Sequence, residues 1–318
     1  MHDIAAENID RLITVEIRRP GVTRGFKSVL YEVARAAAAG PLVLEAALML
    51  NVAPCRIGIV TGAAVAGHMP LGENDGPFGA VVLAGTLERI GHTTTLYTDP
   101  ECAGPIHALI AINGLNTTLV ELDRDNAAQQ HQAAADSDIL IAIERLGGNP
   151  HGHIYGMTAV ARDGGRAKVD TMFHTHTALG RPSLGIGDGG NEVGFGSLRE
   201  TLVQRLPHIN QADKTPCGGG VFSTVPTTKL VVGSTSNLGA YGVCAALALL
   251  RNDISLCHSP DQEFALHHVG VGLGLTDGGG GGVIAACDGI PADANAAVVL
   301  LMRSIVERAL LPERKRAF

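Results

Sequence analysis

Ser183-Leu184-Gly185-Ile186-Gly187-Asp188-Gly189-Gly190-Asn191-Glu192 starts as a short apolar run and ends in a glycine turn carrying two acids. The run has the length of a buried strand, and the glycines permit a tight exit from it. The same arrangement recurs on either side. Toward the N-terminus, Arg56–Val60 ends in Thr61-Gly62, and Thr93–Tyr97, Thr117–Leu122 and Asp138–Ile143 read as further strands. Toward the C-terminus, Leu230–Val232 is another. Helical patterns occupy 78–90, 101–112, 125–135, 192–206, 238–251, 261–273 and 292–311. Strands alternating with helices make βαβ units. The expected fold is therefore α/β, a mainly parallel sheet with helices on both faces.

Upstream of the alternation, residues 1–50 read as a helical lead-in. Ile4, Ile9, Leu12, Ile13 and Ile17 fall at mostly helical spacing over 1–18, and Pro20-Gly21 is expected to end that helix. Residues 27–50 are Ala-rich and interrupted by Gly40-Pro41. No composition shift divides the chain. One domain over 1–318 is expected, with an α/β core over 51–311 and excursions at 145–182 and 207–228. The basic tail 314–316 reads as a solvated end.

Hydrophobic residues make up 46% of the 318, enough for a sizeable core. Trp is absent and aromatics are 3%, so that core must be aliphatic. The net charge of −7 argues against attraction to nucleic acid or an anionic membrane, and an acidic pocket would suit a divalent cation or an amine. Six cysteines lack CxxC spacing and read as buried reduced thiols. No apolar run reaches the ~18 residues of a membrane helix. Asp3, Glu7 and Asp10 do not fit a signal peptide. The expected location is cytoplasmic.

In open parallel sheets, ligands bind beyond the carboxyl ends of the strands. Those ends carry Glu144-Arg145, Gly187-Asp188-Gly189-Gly190 and Gly233-Ser234-Thr235-Ser236-Asn237. Glu144 and Asp188 should share one rim, with Asn237 beside them. The Gly189 and Gly190 amides, if they open the next helix, would hold an anion such as a substrate carboxylate. Asp188 and Glu192, four apart, could share a cation; alternatively Asp188 is a helix N-cap. The loop Pro70–Pro77 brings Glu73 and Asp75 to the same rim, or is a surface turn. Thr276-Asp277, five glycines, then Cys287-Asp288-Gly289 reads as a ligand-hugging flap or a surface loop, with Asp277 and Asp288 as candidate metal ligands.

Several classes are disfavoured. Gly187-x-Gly189-Gly190-x-x-x-Gly194 is not the GxGxxG spacing, so no nicotinamide or flavin is expected. Neither a phosphate loop nor a GxSxG elbow occurs. The paired histidines at 151/153, 174/176 and 267/268 match no zinc spacing, and His151 and His153, in a Gly-rich loop near Glu144, could reach the site but read more readily as solvated loop residues.

Four segments carry a family resemblance: Gly72-Glu73-Asn74-Asp75-Gly76-Pro77, Ala142-Ile143-Glu144-Arg145, Gly185–Gly194 and Ser236-Asn237-Leu238-Gly239-Ala240-Tyr241-Gly242. They resemble the D-glutamate cyclase C-terminal domain family over roughly residues 9–290. Asn74 replaces an expected Thr, and Leu238 an expected aromatic. The resemblance implies a Rossmann-like fold and conversion of D-glutamate to 5-oxo-D-proline with loss of water. On that reading the catalytic set is Asp188, Glu192 and Glu144. Glu73, Asp75, Gly189, Gly190, Asn191 and Asn237 contact an amino-acid-like substrate. Mg or Mn would be held by Asp188, Glu144, Asp288 and Asp277. The same acidic pocket is compatible with a Mg- or Mn-dependent phosphatase or other hydrolase, and with a non-catalytic small-molecule or metal sensor. No nucleic-acid or membrane partner is expected; homo-oligomerisation stays open.

Overall fold

The computed structural model describes residues 2–19 and 25–312. The expected helix stop at Pro20-Gly21 and the basic tail 314–316 lie outside the described residues. The lead-in forms α1 (His2–Ile13), α2 (Lys27–Ala37) and α3 (Leu42–Leu50). The α/β part then runs β1 (Arg56–Val60), α4 (Pro77–Arg89), β2 (Thr93–Thr98), α5 (Pro100–Ile112), β3 (Thr118–Glu121), α6 (Ala127–Asp136) and β4 (Ile139–Ile143). It continues through α7 (Asp170–Ala178), β5 (Ser183–Gly187), α8 (Arg199–Arg205), α9 (Pro207–Asn210), β6 (Lys229–Val232), α10 (Ser236–Arg251) and α11 (Pro260–Gly272). A small hairpin, β7 (Ala286–Cys287) and β8 (Ile290–Pro291), precedes α12 (Ala292–Ala309).

Six strands form one sheet in the order β3-β2-β1-β4-β5-β6, every pairing parallel. This is the doubly wound Rossmann order, and its direction of winding reverses between β1 and β4. Alternate side chains feed two cores. Ile139, Ile141 and Ile143 enter the larger one with Ile57 and Ile59 of β1, packed by α4, α5, α10 and the lead-in. Leu140 and Ala142 enter the smaller one with Val60, packed by Ala133 and Ala134 of α6 and by Met172 and Phe173 of α7.

The lead-in docks on the C-terminal helices: α1 lies against α10 and α12, and α3 against α10 and β6. Ile9 and Ile13 of α1 are fully buried there. No single helix among the described residues is long and apolar enough to cross a membrane; only α2 and α3 taken together pass that test, and they are bent by 57°. All six cysteines are free thiols.

The expected helix over 192–206 is corrected. Glu192 to Phe195 is irregular, a single 3-10 turn spans Gly196–Leu198, and α-helix begins only at Arg199. The physical reason is space. A Cβ on Gly196 would collide with the Thr224 carbonyl, and Gly194 sits at φ +117° against Gly185, so the chain must turn here before it can coil.

Candidate functional site

β1 and β4 end side by side at the reversal point, and β5 is next to β4. Their exits supply Thr61, Glu144 and Asp188. Arg145 pins the end of β4. Fully buried, it binds Asp99 through both Nη atoms (2.5 and 3.0 Å) and donates to the Gly62 and Ala167 carbonyls. Glu144 is thereby held at φ +52°, a left-handed conformation that non-glycine residues rarely adopt. Asp288, in the β7–β8 turn, is held likewise at φ +51°.

Beyond these ends lies a cavity of about 310 Å³. Four acids line it: Glu73, Glu144, Asp188 and Asp288. Four cations line it too: Arg18, Lys27, Arg162 and Arg166. A pocket with both signs of charge suits a zwitterionic ligand better than a simple cation or anion. An outer chamber of about 580 Å³ shares Val65, Met69, Thr158, Arg162 and Gly278 with it.

Asp188 is the hub. Its Oδ2 accepts from Lys27 Nζ at 2.5 Å and from Arg18 Nη2 at 2.8 Å. Arg18 also donates to the Ser234 carbonyl and pairs with Asp288. Burial pushes the Asp188 carboxyl up, but the Lys27 and Arg18 charges outweigh burial and hold it below its ordinary value. Around it the other acids are driven the opposite way. Burial and the Asp188 charge raise Glu144 well above the usual range. Burial and the Asp288 charge do the same to Glu73. Asp288 is raised by burial against the pull of Arg18.

Other expected site residues serve the frame. Glu192 accepts the amides of Asp188 (3.0 Å), Gly189 (2.7 Å) and Gly190 (2.7 Å). This corrects the expectation that Gly189 and Gly190 hold a substrate anion: no helix starts there, and their donors are already occupied. It also places Glu192 behind the cavity wall. A phosphate-binding helix terminus at this point is lost with it. Asn237 was expected to contact ligand. Its Oδ1 instead accepts from Gly76 and Gly79, and its Nδ2 donates to the Asn74 carbonyl and Cys287 Sγ. Asp75 caps α10 through the Ser236 and Asn237 amides (3.1 and 2.8 Å). Asp277 accepts the amides of Gly279 and Gly280 in its own glycine loop and of Gly289 beside Asp288, whose carboxyl its charge helps to raise. Asn191 does line the cavity, anchored by Nδ2 to the Tyr155 carbonyl. His151 and His153 are exposed, and His153 faces Asp163.

Two carboxylate triads bring ligand oxygens within 4.8 Å of one another and could hold a metal ion: Asp75, Asp188, Asp288 and Glu144, Asp188, Glu192. Both share Asp188, which already carries two cations, and each contains one acid committed to backbone amides. As built, these residues fit a metal poorly.

The four cations escaped the sequence reading. Arg18 and Lys27 flank the break after α1, and Arg162 and Arg166 lie in the excursion 145–182. A lone Arg or Lys carries no motif, so only the tertiary fold reveals them.

A model of the D-glutamate cyclase-like, C-terminal family matches residues 10–303. The mitochondrial D-glutamate cyclase of Homo sapiens is 28% identical over an alignment of 199 residues that covers 58% of this chain and 31% of that protein. The match thus spans about a third of that relative's length. Among solved structures, a short-chain dehydrogenase/reductase from Serratia marcescens is 15% identical, covering 49% of this chain and 71% of that one at a TM-score of 0.27. A dehydrogenase/reductase from Sinorhizobium meliloti 1021 is 14% identical, covering 55% and 72% at the same TM-score of 0.27. TM-scores this low carry no argument about function.

Proposed function

The chain belongs to the D-glutamate cyclase-like, C-terminal family, and from that premise we propose that it closes D-glutamate to 5-oxo-D-proline with release of water. The observation that carries the reading is the mixed charge of one cavity: an acid kept ionised by Lys27 and Arg18, facing acids whose proton affinity is raised.

The reaction needs both. The α-ammonium must give up a proton before its nitrogen can attack the γ-carbon. The N–C bond then forms, one γ C–O bond breaks, and two protons from the ammonium leave with that oxygen as water. Glu144 and Glu73 supply the proton traffic. Their neighbours disfavour simultaneous ionisation, so one carboxyl is charged and accepts from the ammonium while the other is protonated and donates to the departing oxygen. Lys27 and Arg18 draw negative charge off the γ-carboxylate and steady the oxyanion that develops. The cavity also folds the substrate so that its ends meet. Glu192 positions Asp188 through the backbone and touches no reacting atom.

An all-oxygen donor set would suit Mg or Mn. In this reading the positive charge comes from Lys27 and Arg18, and no step runs through a metal ion. Purified protein incubated with D-glutamate, with 5-oxoproline followed by NMR, is expected to give product and to keep doing so in EDTA. No product, with or without Mg or Mn, would end the cyclase reading. Product only with added metal would return the electrophilic role to the ion.

A further inference from the structure

Among the described residues, four cationic side chains are almost wholly buried: Arg18, Lys27, Arg145 and Arg166. The first three face carboxylates at ion-pair distance. Arg166 differs. It is 3% exposed and lines the cavity, and its Nη2 donates to the Ala64 carbonyl at 3.3 Å. Its Nε has no acceptor, and no carboxylate among the described residues pairs with it. Glu73 and Asp99 act on it only from farther away. Burial and the nearby Arg145 charge bring its guanidinium down to about 10, which still leaves it charged at neutral pH. A buried, unpaired guanidinium is costly, because Arg cannot escape by losing its proton. Such a group on a cavity wall is suited to an anion that arrives from outside.

We propose that Arg166, with Arg162 beside it on the cavity wall, anchors the substrate's α-carboxylate. The assignment rests on the cyclase reading and divides the labour within it. The α-carboxylate keeps its charge from substrate to product, so it requires a partner that does not titrate and presents a planar fork of donors. The γ-carboxylate changes from anion to amide, and it faces Lys27, Arg18 and the titrating acids instead. The α-carboxylate seat is therefore Arg166 and not the glycine amides, which Glu192 occupies.

The product isolates this contact, since 5-oxo-D-proline retains only the α-carboxylate. Wild-type protein should bind 5-oxo-D-proline at least 10-fold more tightly than 2-pyrrolidinone, the same ring without the carboxylate, by calorimetry. Arg166→Gln should erase that preference. It should raise KM for D-glutamate roughly 10- to 100-fold while kcat changes much less, and Arg166→Lys should recover part of the loss. Equal wild-type affinity for the two rings would overturn the anchor whether or not the variants fold. So would a folded Arg166→Gln chain, judged by its melting curve, with an unchanged KM. A wild-type chain that makes no 5-oxoproline would instead remove the cyclase reading, and the anchor with it.

Discussion

Two cations converge on Asp188 and hold its carboxyl low, while burial beside that charge raises Glu192 in spite of the three backbone amides it accepts, so acids four residues apart shift in opposite directions. Burial and the Asp188 charge push Glu192 up to about 7, against an ordinary 4.5. Between those values the folded chain holds a proton that the unfolded chain has released. The stability from this group is therefore complete below about 4.5 and declines as pH rises to about 7. Asp188, held below its ordinary 3.8, has the opposite sign. Its contribution is present above 3.8 and is lost as pH falls through the lower folded value, outside the Glu192 window. Asp75, raised to about 8 by burial and by the charges of Asp288 and Asp188, shares the sign of Glu192. Glu192→Gln should therefore flatten, without abolishing, the fall in melting temperature between pH 4.5 and 7. A profile as steep as the wild type would show that Glu192 does not titrate there.

At the scale of elements, the turn after β5 is the sensitive joint. Gly190 sits at φ +95°, and a Cβ there would lie 2.8 Å from the Phe222 ring. Gly190→Ala should cost about 1–3 kcal/mol, from the left-handed backbone together with the ring contact, and thermal denaturation would measure it. An unchanged melting temperature would mean that the turn relaxes freely. The strands were readable to within about a residue because β1, β4, β5 and β6 are short apolar runs bounded by polar residues or glycine, and β2 is rich in β-branched threonine. α7 was missed because Met172, Phe173 and His176 are buried among Thr and His, without a continuous apolar stripe. α8 was placed too early because the spacing from Glu192 looks helical, while the side chain in fact folds back onto its own turn. The site was legible in its acids, since strand ends locate Glu144 and Asp188 and glycine-rich loops mark Glu73 and Asp288. It was illegible in its bases, whose approach depends on how distant segments pack.

For the molecule as a whole, the packing of α1 against α10 and α12 joins the helical lead-in to the helices that follow the sheet. Arg18 follows directly from that packed helix, and Ile9 in the seam is fully buried. Ile9→Ala should lower stability by about 2–4 kcal/mol, and calorimetric or chemical denaturation would show it. Turnover should fade at temperatures where circular dichroism still reports an intact sheet, because the seam can loosen locally first. Activity and ellipticity lost together would argue against that separation. The seam also has a consequence for biosynthesis. Arg18 leaves the ribosome well before α12, one of the helices on which α1 rests. A growing chain can pair its strands and gather its carboxylates long before it can seat that guanidinium. Chemical competence should therefore appear only once α12 has emerged, leaving shorter nascent chains inert toward the metabolite pool around them.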